Sequence, residues 1–289
     1  MSLWNKVWAV ILSLAMNLFF WLPIDYNIKN VPEKIDGNVR VISFNVRCAN
    51  DLFGSVNVRS RLFIAMMEEY LPDSFGVQEA TGKWMRILTK RLSENYGCVT
   101  QHRDEDENSE ASAVFYLKDK YELIDSGTIW LSDTPDTPYT KYEDSGCTRI
   151  ATWATLKNKE SGKIYTHINT HLDHVSDEAR VMQVKVLNKK VKELQKDGNP
   201  VVCTGDFNAE EKSVVYDEML KTLSDSKYLA KESDDGHTYH DYGNKERNEL
   251  IDFVFVPENT AVAKYRIIDE TVSGMFVSDH YGVMADIDI

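Results

Sequence analysis

The sequence of 289 residues has few cysteines, and none of them forms a pair of the kind that binds zinc. Neither a CxxC nor an HExxH motif is present, so zinc is not favoured as a bound metal. The wide spacing of the cysteines assigns no disulfide. One of them lies in an apolar run at 201–204, where we expect it to be buried as a small hydrophobic side chain. The four are Cys48, Cys98, Cys147 and Cys203.

Positive charge is also scarce. The chain has 33 Lys and Arg residues against 46 Asp and Glu residues, which gives a formal net charge of −13. Such a chain gains nothing overall from the release of counterions that drives binding to long nucleic acids. Nucleic acid is therefore not favoured as a substrate, although a local cationic cleft would be compatible with the overall charge.

The sequence has no low-complexity tract, no internal repeat and only one long apolar run. Residues 7–22 are apolar except for Ser13 and Asn17, and they follow Lys6 and precede Pro23. A membrane-spanning helix needs about 17–25 apolar residues, and a charged start before a short apolar segment is typical of a signal peptide. We predict that residues 1–24 are a signal peptide or N-terminal membrane anchor. The protein would then be exported, to the periplasm or another extracytoplasmic location, or held at the membrane. The alternative is a core helix in a cytoplasmic protein.

Residues 25–38 are polar and contain Pro32 and Gly37, which predicts a linker. The hydrophobic fraction of 43% supports a full core in the rest of the chain. Strands and helices interleave without the regularity of a barrel, so the pattern predicts an α/β or α+β fold and no more. We predict a long loop at 224–248. The predicted strands are 39–45, 74–77, 111–117, 121–131, 150–156, 163–169, 201–204, 250–256, 262–268 and 283–289, and the predicted helices are 59–71, 82–92 and two that follow Ser176 and Ser213.

Several predicted strands end in side chains that carry chemistry. Polar groups at strand ends are how α/β proteins usually present a site. Carboxylate and amide oxygens suit a hard divalent ion such as Mg²⁺, and a histidine beside an aspartate can hold or deliver a proton near neutral pH. A metal, a positioned water and an acid/base pair are what phosphoester hydrolysis requires. The residues are Asn45, Glu79, His171, Asp206, Asn208, Asp252, Asp279 and His280.

The segments that carry these residues resemble a known family. In chain order they read SFNVR, VQEA, NTHLDH, TGDFNAE, LIDFVFV and VSDHYGV, and together they are similar to the motifs of the endonuclease/exonuclease/phosphatase superfamily. The resemblance covers about residues 39–289, which are therefore expected to be the catalytic domain. It implies a DNase I-like fold, a four-layer α/β/β/α sandwich of two packed mixed β-sheets flanked by helices, with the site at one rim.

The resemblance also implies a metal site. Carried over position by position, Glu79 matches the main metal ligand of the family, Asn45 lies beside it, and Asp279 matches a second carboxylate on the metal side. The implied cofactor is Mg²⁺, with Mn²⁺ as an alternative. Asn45 and Glu79 have a structural alternative, because either side chain could instead cap the turn that follows it.

The catalytic assignments follow in the same way. Asp206 and Asn208 match the residues that orient the attacking water and the phosphate. His280 matches the histidine that contacts the scissile phosphate, and Asp252 matches the carboxylate that fixes its tautomer. Structural alternatives are a turn acceptor for Asp252 and a satisfied core histidine for His280.

Three further residues complete the implied site. His171 matches the second active-site histidine of the DNase-like members, Glu110 stands where its carboxylate partner is expected, and Arg149 matches a phosphate-contacting arginine. Glu110 lies in an acidic run at 104–110, where a solvated charge is the alternative. For Arg149 the alternative is a surface ion pair.

We therefore predict a metal-dependent phosphoesterase that hydrolyses a phosphate mono- or diester by in-line attack of an activated water. The acidic chain and the predicted export favour a small, sugar or lipid phosphoester as substrate. A secreted or periplasmic nuclease is the enzymatic alternative. An alternative of another class is a membrane-tethered binding module with an inactive site. We expect a monomer.

Overall fold

Thirteen strands and five helices are present in residues 31–50, 54–244, 246–272 and 274–289, which with Val7, Ile11 and Ile28 are the residues that the computed structural model describes. The helices are α1 (Val56–Tyr70), α2 (Gly82–Arg91), α3 (Asp177–Leu194), α4 (Val214–Met219) and α5 (Ser226–Leu229). The strands are β1 (Val39–Asn45), β2 (Ser74–Thr81), β3 (Tyr96–Val99), β4 (Glu110–Leu117), β5 (Tyr121–Trp130), β6 (Ile150–Asn158), β7 (Ile164–His171), β8 (Val201–Asp206), β9 (Ser224–Asp225), β10 (Ala230–Ser233), β11 (Asp252–Val256), β12 (Ala261–Ile268) and β13 (Gly282–Asp288).

The predicted signal peptide or anchor, residues 1–24, falls outside the described residues except for Val7 and Ile11. Across the part of the chain that is described, no helix combines the length and the apolar character needed to cross a membrane. Residues 31–38, from the predicted linker, contain no helix or strand. The carbonyls of Pro32 and Glu33 in this segment accept hydrogen bonds from Arg40 of β1.

The strands form two mixed sheets. Sheet one has the order β10-β12-β13-β1-β2-β4-β3, and sheet two has the order β5-β6-β7-β8-β11-β9. Each sheet has a parallel pair near its centre, β1 with β2 and β7 with β8. The carboxyl ends of parallel strands lie at the same edge of a sheet. The two pairs therefore present their last residues at one rim.

The sheets pack face to face, and helices cover their outer faces. Side chains alternate between the two faces of a strand, and in β1 Ile42 and Phe44 belong to a core under α1 and α2, whereas Val41 belongs to a core between the sheets. In β8, Cys203 faces a third core under α3 and α4, and Val202 faces the space between the sheets. This order of layers confirms the predicted α/β/β/α sandwich. Cys203 is buried, and all four cysteines are free.

Aromatic rings fill the two outer cores. Phe63 of α1 meets Phe44, Phe75 and Trp84 edge-on, with ring centroids 5.4, 5.9 and 6.3 Å apart. On the other side, Tyr216 of α4 lies 5.4 Å from the ring of Phe253 and 5.8 Å from that of Phe255. Contacts of this kind hold each helical layer to its own sheet.

A buried polar network ties the sheets together near the rim. Asn169 of β7 donates to the carbonyls of Val77 and Ala113 in sheet one, at 3.0 Å each. Its Oδ1 accepts from Gln78 Nε2 at 2.6 Å and from Thr204 Oγ1 at 3.0 Å. A buried hydrogen-bond network of this kind fixes the relative position of the elements that it joins. It therefore fixes the position of the end of β2 against the ends of β7 and β8.

Most predicted elements are present, with bounds shifted by a few residues. The prediction is wrong at 224–248, where β9, α5 and β10 interrupt the expected loop, and it lacks β3. These elements have 2–4 residues each. Elements this short cannot show a repeating hydrophobic pattern, and β10 is a polar, largely exposed edge strand.

Candidate active site

The metal-side residues lie at the ends of β1 and β2. Asn45 is the last residue of β1 and is fully buried. At Glu79 the pairing of β2 with β4 shifts register between Val77 and Ala80, and Glu79 has a φ of 58°. Positive φ is uncommon for residues other than glycine, and a bulge re-aims a side chain. Glu79 lines a pocket at the rim.

The Glu79 carboxylate is held by hydrogen bonds. Its Oε1 accepts from Asn45 Nδ2 at 3.1 Å, and its Oε2 accepts from the backbone N–H of Cys48 at 2.8 Å. Burial opposes ionisation, but the Cys48 N–H and the nearby His280 outweigh it and lower the pKa of Glu79. Glu79 is therefore ionised at neutral pH.

Asp206 ends β8 and faces Asn45 across the gap between the sheets. Its Oδ2 accepts from Asn45 Nδ2 at 2.9 Å, and its Oδ1 accepts from the backbone N–H of Asn208 at 2.9 Å. Asn208 has a φ of 47°, and its Nδ2 lies 2.9 Å from His171 Nε2. Burial and the neighbouring Asp252 carboxylate raise the pKa of Asp206. Asp206 is thus a carboxylate with enhanced basicity.

His280 and Asp252 form a buried pair beside Asp206. The distance from His280 Nδ1 to Asp252 Oδ2 is 2.8 Å, and His280 Nε2 lies 3.8 Å from Asp206 Oδ2. Burial alone would lower the pKa of His280, but the Asp252 and Asp206 carboxylates raise it well above its ordinary value. The imidazole is therefore held as a cation with its Nε2 side toward Asp206. The ring of Tyr239 lies 4.9 Å from that of His280.

His171 has a different environment. Burial, together with the Arg149 and Arg103 guanidinium groups, holds the pKa of His171 well below its ordinary value, so this ring is neutral. The predicted partner Glu110 makes no hydrogen bond to His171 among the described contacts. Its carboxylate accepts from Arg103 Nη1 at 2.8 Å. The pairing of Glu110 with His171 expected from the family resemblance is therefore replaced by an ion pair with Arg103.

The pocket at the rim has a volume of about 540 Å³, and five arginines line it beside the carboxylates of Glu79, Glu110, Asp206 and Glu249. Arg149 is almost fully buried, and its Nη2 lies 3.1 Å from His174 Nδ1. Arg180 donates to the Asp173 carbonyl. Of the arginines in the lining, the sequence prediction included only Arg149. The five are Arg47, Arg103, Arg149, Arg180 and Arg247.

All ten residues predicted for the site lie at or beside this pocket. Seven line it directly, and Asn45 and Asp252 are hydrogen-bonded to lining residues. Asp279 lies behind Arg47, with its Oδ2 3.1 Å from Arg47 Nη1. The seven are Glu79, Glu110, Arg149, His171, Asp206, Asn208 and His280.

The donor set fits a hard divalent cation. Glu79 places a carboxylate oxygen 3.1 Å from the Asn45 amide nitrogen, and the Asp279 carboxylate is near enough for the charge of Glu79 to raise its pKa. Oxygen ligands of this kind are what Mg²⁺ or Mn²⁺ prefers. Burial raises the pKa of Asp279 and of Asp206, and a cation nearby would offset this cost. A different grouping, Asp206 with Asp252 and His280, has ligand atoms within 4.8 Å of one another. In that grouping, however, His280 already donates to Asp252.

Comparisons with known proteins agree with the fold and with the geometry of the site. A family model described as the endonuclease/exonuclease/phosphatase family matches residues 42–280. A Bacteroides vulgatus protein described as an endonuclease/exonuclease/phosphatase is 33% identical, with a TM-score of 0.80 over 87% of this chain and 99% of that one. A Bacteroides thetaiotaomicron mannosyl-6-phosphatase is 28% identical, with a TM-score of 0.78 over 86% and 99% of the two chains.

A more distant structure shares the fold alone. The D. rerio TDP2 protein in complex with a single-stranded DNA product is 19% identical, with a TM-score of 0.70 over 88% of this chain and 100% of that one. Among curated proteins no sequence matches this chain significantly. The family model covers most of the chain, and on this ground the chain belongs to the endonuclease/exonuclease/phosphatase family, whose members hydrolyse phosphoester bonds.

Proposed function

We propose that this protein is a divalent-metal-dependent phosphatase that hydrolyses small phosphate monoesters of neutral alcohols such as sugars. The observation that carries the proposal is that five arginines line one pocket in a chain with a net charge of −13. Arginine pairs well with phosphate oxygens, and a monoester carries more negative charge than a diester. The similarity to a mannosyl-6-phosphatase supports the same class of substrate.

Asp206 is the residue that we assign to the attacking water. Its carboxylate is buried, its pKa is raised, and Asn45 and Asn208 hold both of its oxygens. In this arrangement Asp206 takes a proton as the water oxygen forms its bond to phosphorus. The bond from phosphorus to the leaving oxygen breaks on the opposite side of the phosphoryl group. The products are inorganic phosphate and an alcohol.

His280 is the residue that we assign to the phosphate. It is held as a cation by Asp252 and Asp206, so its Nε2–H can donate to a phosphate oxygen whose negative charge increases during the reaction. The divalent ion, when bound at Glu79, Asn45 and Asp279, would supply further positive charge against the phosphate and the leaving oxygen. Asp252 keeps the imidazole in the orientation that this hydrogen bond requires.

His171 is better suited to positioning than to donating a proton. Its pKa is lowered, and its Nε2 can accept from Asn208 Nδ2, which fixes the Asn208 amide beside Asp206. Arg149, next to His171, would bind phosphate oxygens. Glu110 holds Arg103 at the same wall of the pocket.

We also propose that the enzyme works outside the cytoplasm, either released or held at the membrane by its N-terminus. The support is the apolar run at 7–22 with Lys6 before it.

The experiment that tests the proposed activity compares substrates of different classes on the full-length protein with Mg²⁺. We expect release of inorganic phosphate from hexose 6-phosphates and from p-nitrophenyl phosphate, with little hydrolysis of bis(p-nitrophenyl) phosphate and no nicking of plasmid DNA. Nicking of plasmid that weakens steeply with salt, without release of phosphate from monoesters, would establish the nuclease alternative. Stabilisation against heat by Mg²⁺ without turnover of any substrate would establish the binding module.

Glu79 gives a direct test of the metal site. We expect EDTA to abolish activity and Glu79→Gln to raise the Mg²⁺ concentration for half-maximal activity by at least about 10-fold, because even residues that only support metal ligands change metal affinity by about 10–100-fold. The matched control is Glu249→Gln, a pocket glutamate whose carboxylate faces Arg247 rather than the predicted ligands. Mg²⁺ affinity, measured by titration calorimetry, is expected to be unchanged in this control. Equal affinities in both variants would contradict the assignment of Glu79.

A further inference from the structure

A groove beside the catalytic pocket is lined by aliphatic side chains and carboxylates, in contrast to the arginines of the pocket. This side groove has a volume of about 810 Å³ and lies between the first turns of α3 and the loop 209–215 before α4. Arg180, Asn208, Glu249 and Ile251 line both the pocket and the groove, so the two are continuous. Asn208 is the residue that contacts Asp206 and His171. A molecule bound in the pocket can therefore extend past Asn208 into the side groove.

Part of the lining of the side groove is aliphatic. Val181, Met182, Val215 and Ile251 contribute to the lining, and Val214 at its edge is 67% exposed. None of the described residues that line it is aromatic. Exposed aliphatic side chains next to a catalytic pocket favour contact with an apolar portion of a ligand, because each buried methylene contributes about 0.8 kcal/mol.

The charge in the side groove is negative. Its lining has the carboxylates of Asp177, Glu178, Glu210, Glu211 and Glu249 against two cations, Arg180 and Lys212. Three of these carboxylates have a cationic partner: Asp177 pairs with Arg180, Glu211 with Lys227, and Glu249 with Arg247. Glu178 and Glu210 have no ion pair among the described residues, and Glu210 is exposed. The pocket thus attracts a phosphate, whereas the adjoining groove repels a second anionic group.

Because arginines line the pocket whereas carboxylates and aliphatic side chains line the side groove, we infer that the side groove binds the leaving alcohol of the substrate. This alcohol is uncharged and partly apolar, and it is large enough to extend from the pocket into the groove. A leaving group that carries a further phosphate or carboxylate is rejected there. The inference rests on the proposed phosphatase activity and narrows its substrate class. It also provides a local reason for excluding polyanions, since a nucleic acid strand leaving the pocket on this side would meet carboxylates.

Three phosphate monoesters test the inference on the full-length protein with Mg²⁺: methyl phosphate, hexyl phosphate and 5-carboxypentyl phosphate. Methyl phosphate reaches only the pocket, hexyl phosphate adds an apolar chain, and the third compound adds a carboxylate at a similar length. We expect kcat/KM to rise at least about 10-fold from methyl to hexyl phosphate, which requires burial of only part of the chain. We expect it to fall again by about 3- to 10-fold for the carboxylated compound, as partly screened charges would give.

Variants at exposed positions of the groove test the apolar contact and the discrimination against negative charge separately. Met182→Glu is expected to remove the gain for hexyl phosphate and to leave methyl phosphate unchanged, because Met182 is 40% exposed and lines only the side groove. Glu210→Lys, at another exposed position, is expected to restore activity on the carboxylated compound and to leave methyl phosphate unchanged.

The outcomes distinguish this inference from the proposed function. Hydrolysis of methyl phosphate without any gain for hexyl phosphate would overturn the inference and leave the phosphatase activity standing. Equal kcat/KM for hexyl and 5-carboxypentyl phosphate would overturn the charge discrimination. No hydrolysis of any monoester would overturn the proposed function and the inference together.

Discussion

Replacing His280 with alanine is expected to reduce kcat/KM for a phosphate monoester by at least about 100-fold, and by up to about 10⁴-fold, the range that a positioned acid or base contributes. The reason is that His280 interacts with two buried carboxylates, those of Asp252 and Asp206. His280 Nδ1 is 2.8 Å from Asp252, its Nε2 faces Asp206 at 3.8 Å, and the two carboxylates raise its pKa. Alanine removes both the donor to the phosphate and the positive charge beside Asp206.

Asp252→Asn separates the charge on His280 from the position of its ring. The asparagine keeps the shape of the side chain but removes the carboxylate that raises the pKa of His280. We expect kcat to fall with little change in KM, because the phosphate still binds to the arginines while the imidazole loses its charge and its fixed tautomer. The measurement is steady-state kinetics on p-nitrophenyl phosphate with saturating Mg²⁺.

His237→Gln is the matched control for these two variants. His237 packs near Tyr281, outside the residues that line the pocket, and its replacement is expected to leave kcat/KM within about 3-fold of the wild type, the scatter expected for a surface change. Thermal unfolding of each variant checks that the fold persists. If His280→Ala remained as active as this control, the assigned contact with the phosphate would be wrong.

The part of the site that the sequence predicts is the part carried by strand ends. Asn45, Glu79, His171 and Asp206 terminate or nearly terminate four strands that form two parallel pairs, and the order of apolar runs is enough to locate those ends. Local sequence therefore indicates which polar residues converge. It does not show the bulge that gives Glu79 its positive φ, because a bulge depends on pairing with β4.

Apart from Arg149, the arginines that line the substrate pocket could not be predicted in the same way. Arg103 lies outside the named strands, Arg180 belongs to α3, and Arg247 lies in the segment before β11. Each looks like an ordinary surface charge in the sequence. Only the sandwich brings them to one rim, and this is how a chain with a net charge of −13 forms a pocket lined by five arginines.

The pairing of Glu110 illustrates a second limit. A resemblance between motifs places Glu110 and His171 in one site, and the structure does bring both to the pocket. The resemblance does not specify which cationic side chain pairs with the Glu110 carboxylate. Arg103 lies seven residues before Glu110 and reaches it at 2.8 Å, so the local ion pair replaces the expected contact with His171.

Replacing Arg40 with methionine is expected to lower the free energy of unfolding by about 3–5 kcal/mol, the cost of leaving one member of a buried ion pair without its partner. Arg40 of β1 and Asp286 of β13 are 1% and 0% exposed. Arg40 Nε and Nη2 donate to the two Asp286 oxygens at 2.7 and 2.9 Å. Arg40 also donates to the carbonyls of Pro32, Glu33 and Tyr70.

The double variant Arg40→Met with Asp286→Leu distinguishes the cost of an unpaired buried charge from the loss of the other contacts of Arg40. With both charges removed, no buried carboxylate remains unpaired, so we expect this variant to be more stable than Arg40→Met alone in urea unfolding. It should stay below the wild type, because the carbonyls of Pro32, Glu33 and Tyr70 still lack their donor. Arg40 is about 16 Å along β1 from Asn45, at about 3.3 Å per residue, so we expect kcat/KM of the folded fraction to be unchanged in both variants. A double variant no more stable than Arg40→Met would show that the contacts with the carbonyls of Pro32, Glu33 and Tyr70, rather than the ion pair with Asp286, account for the contribution of Arg40 to stability.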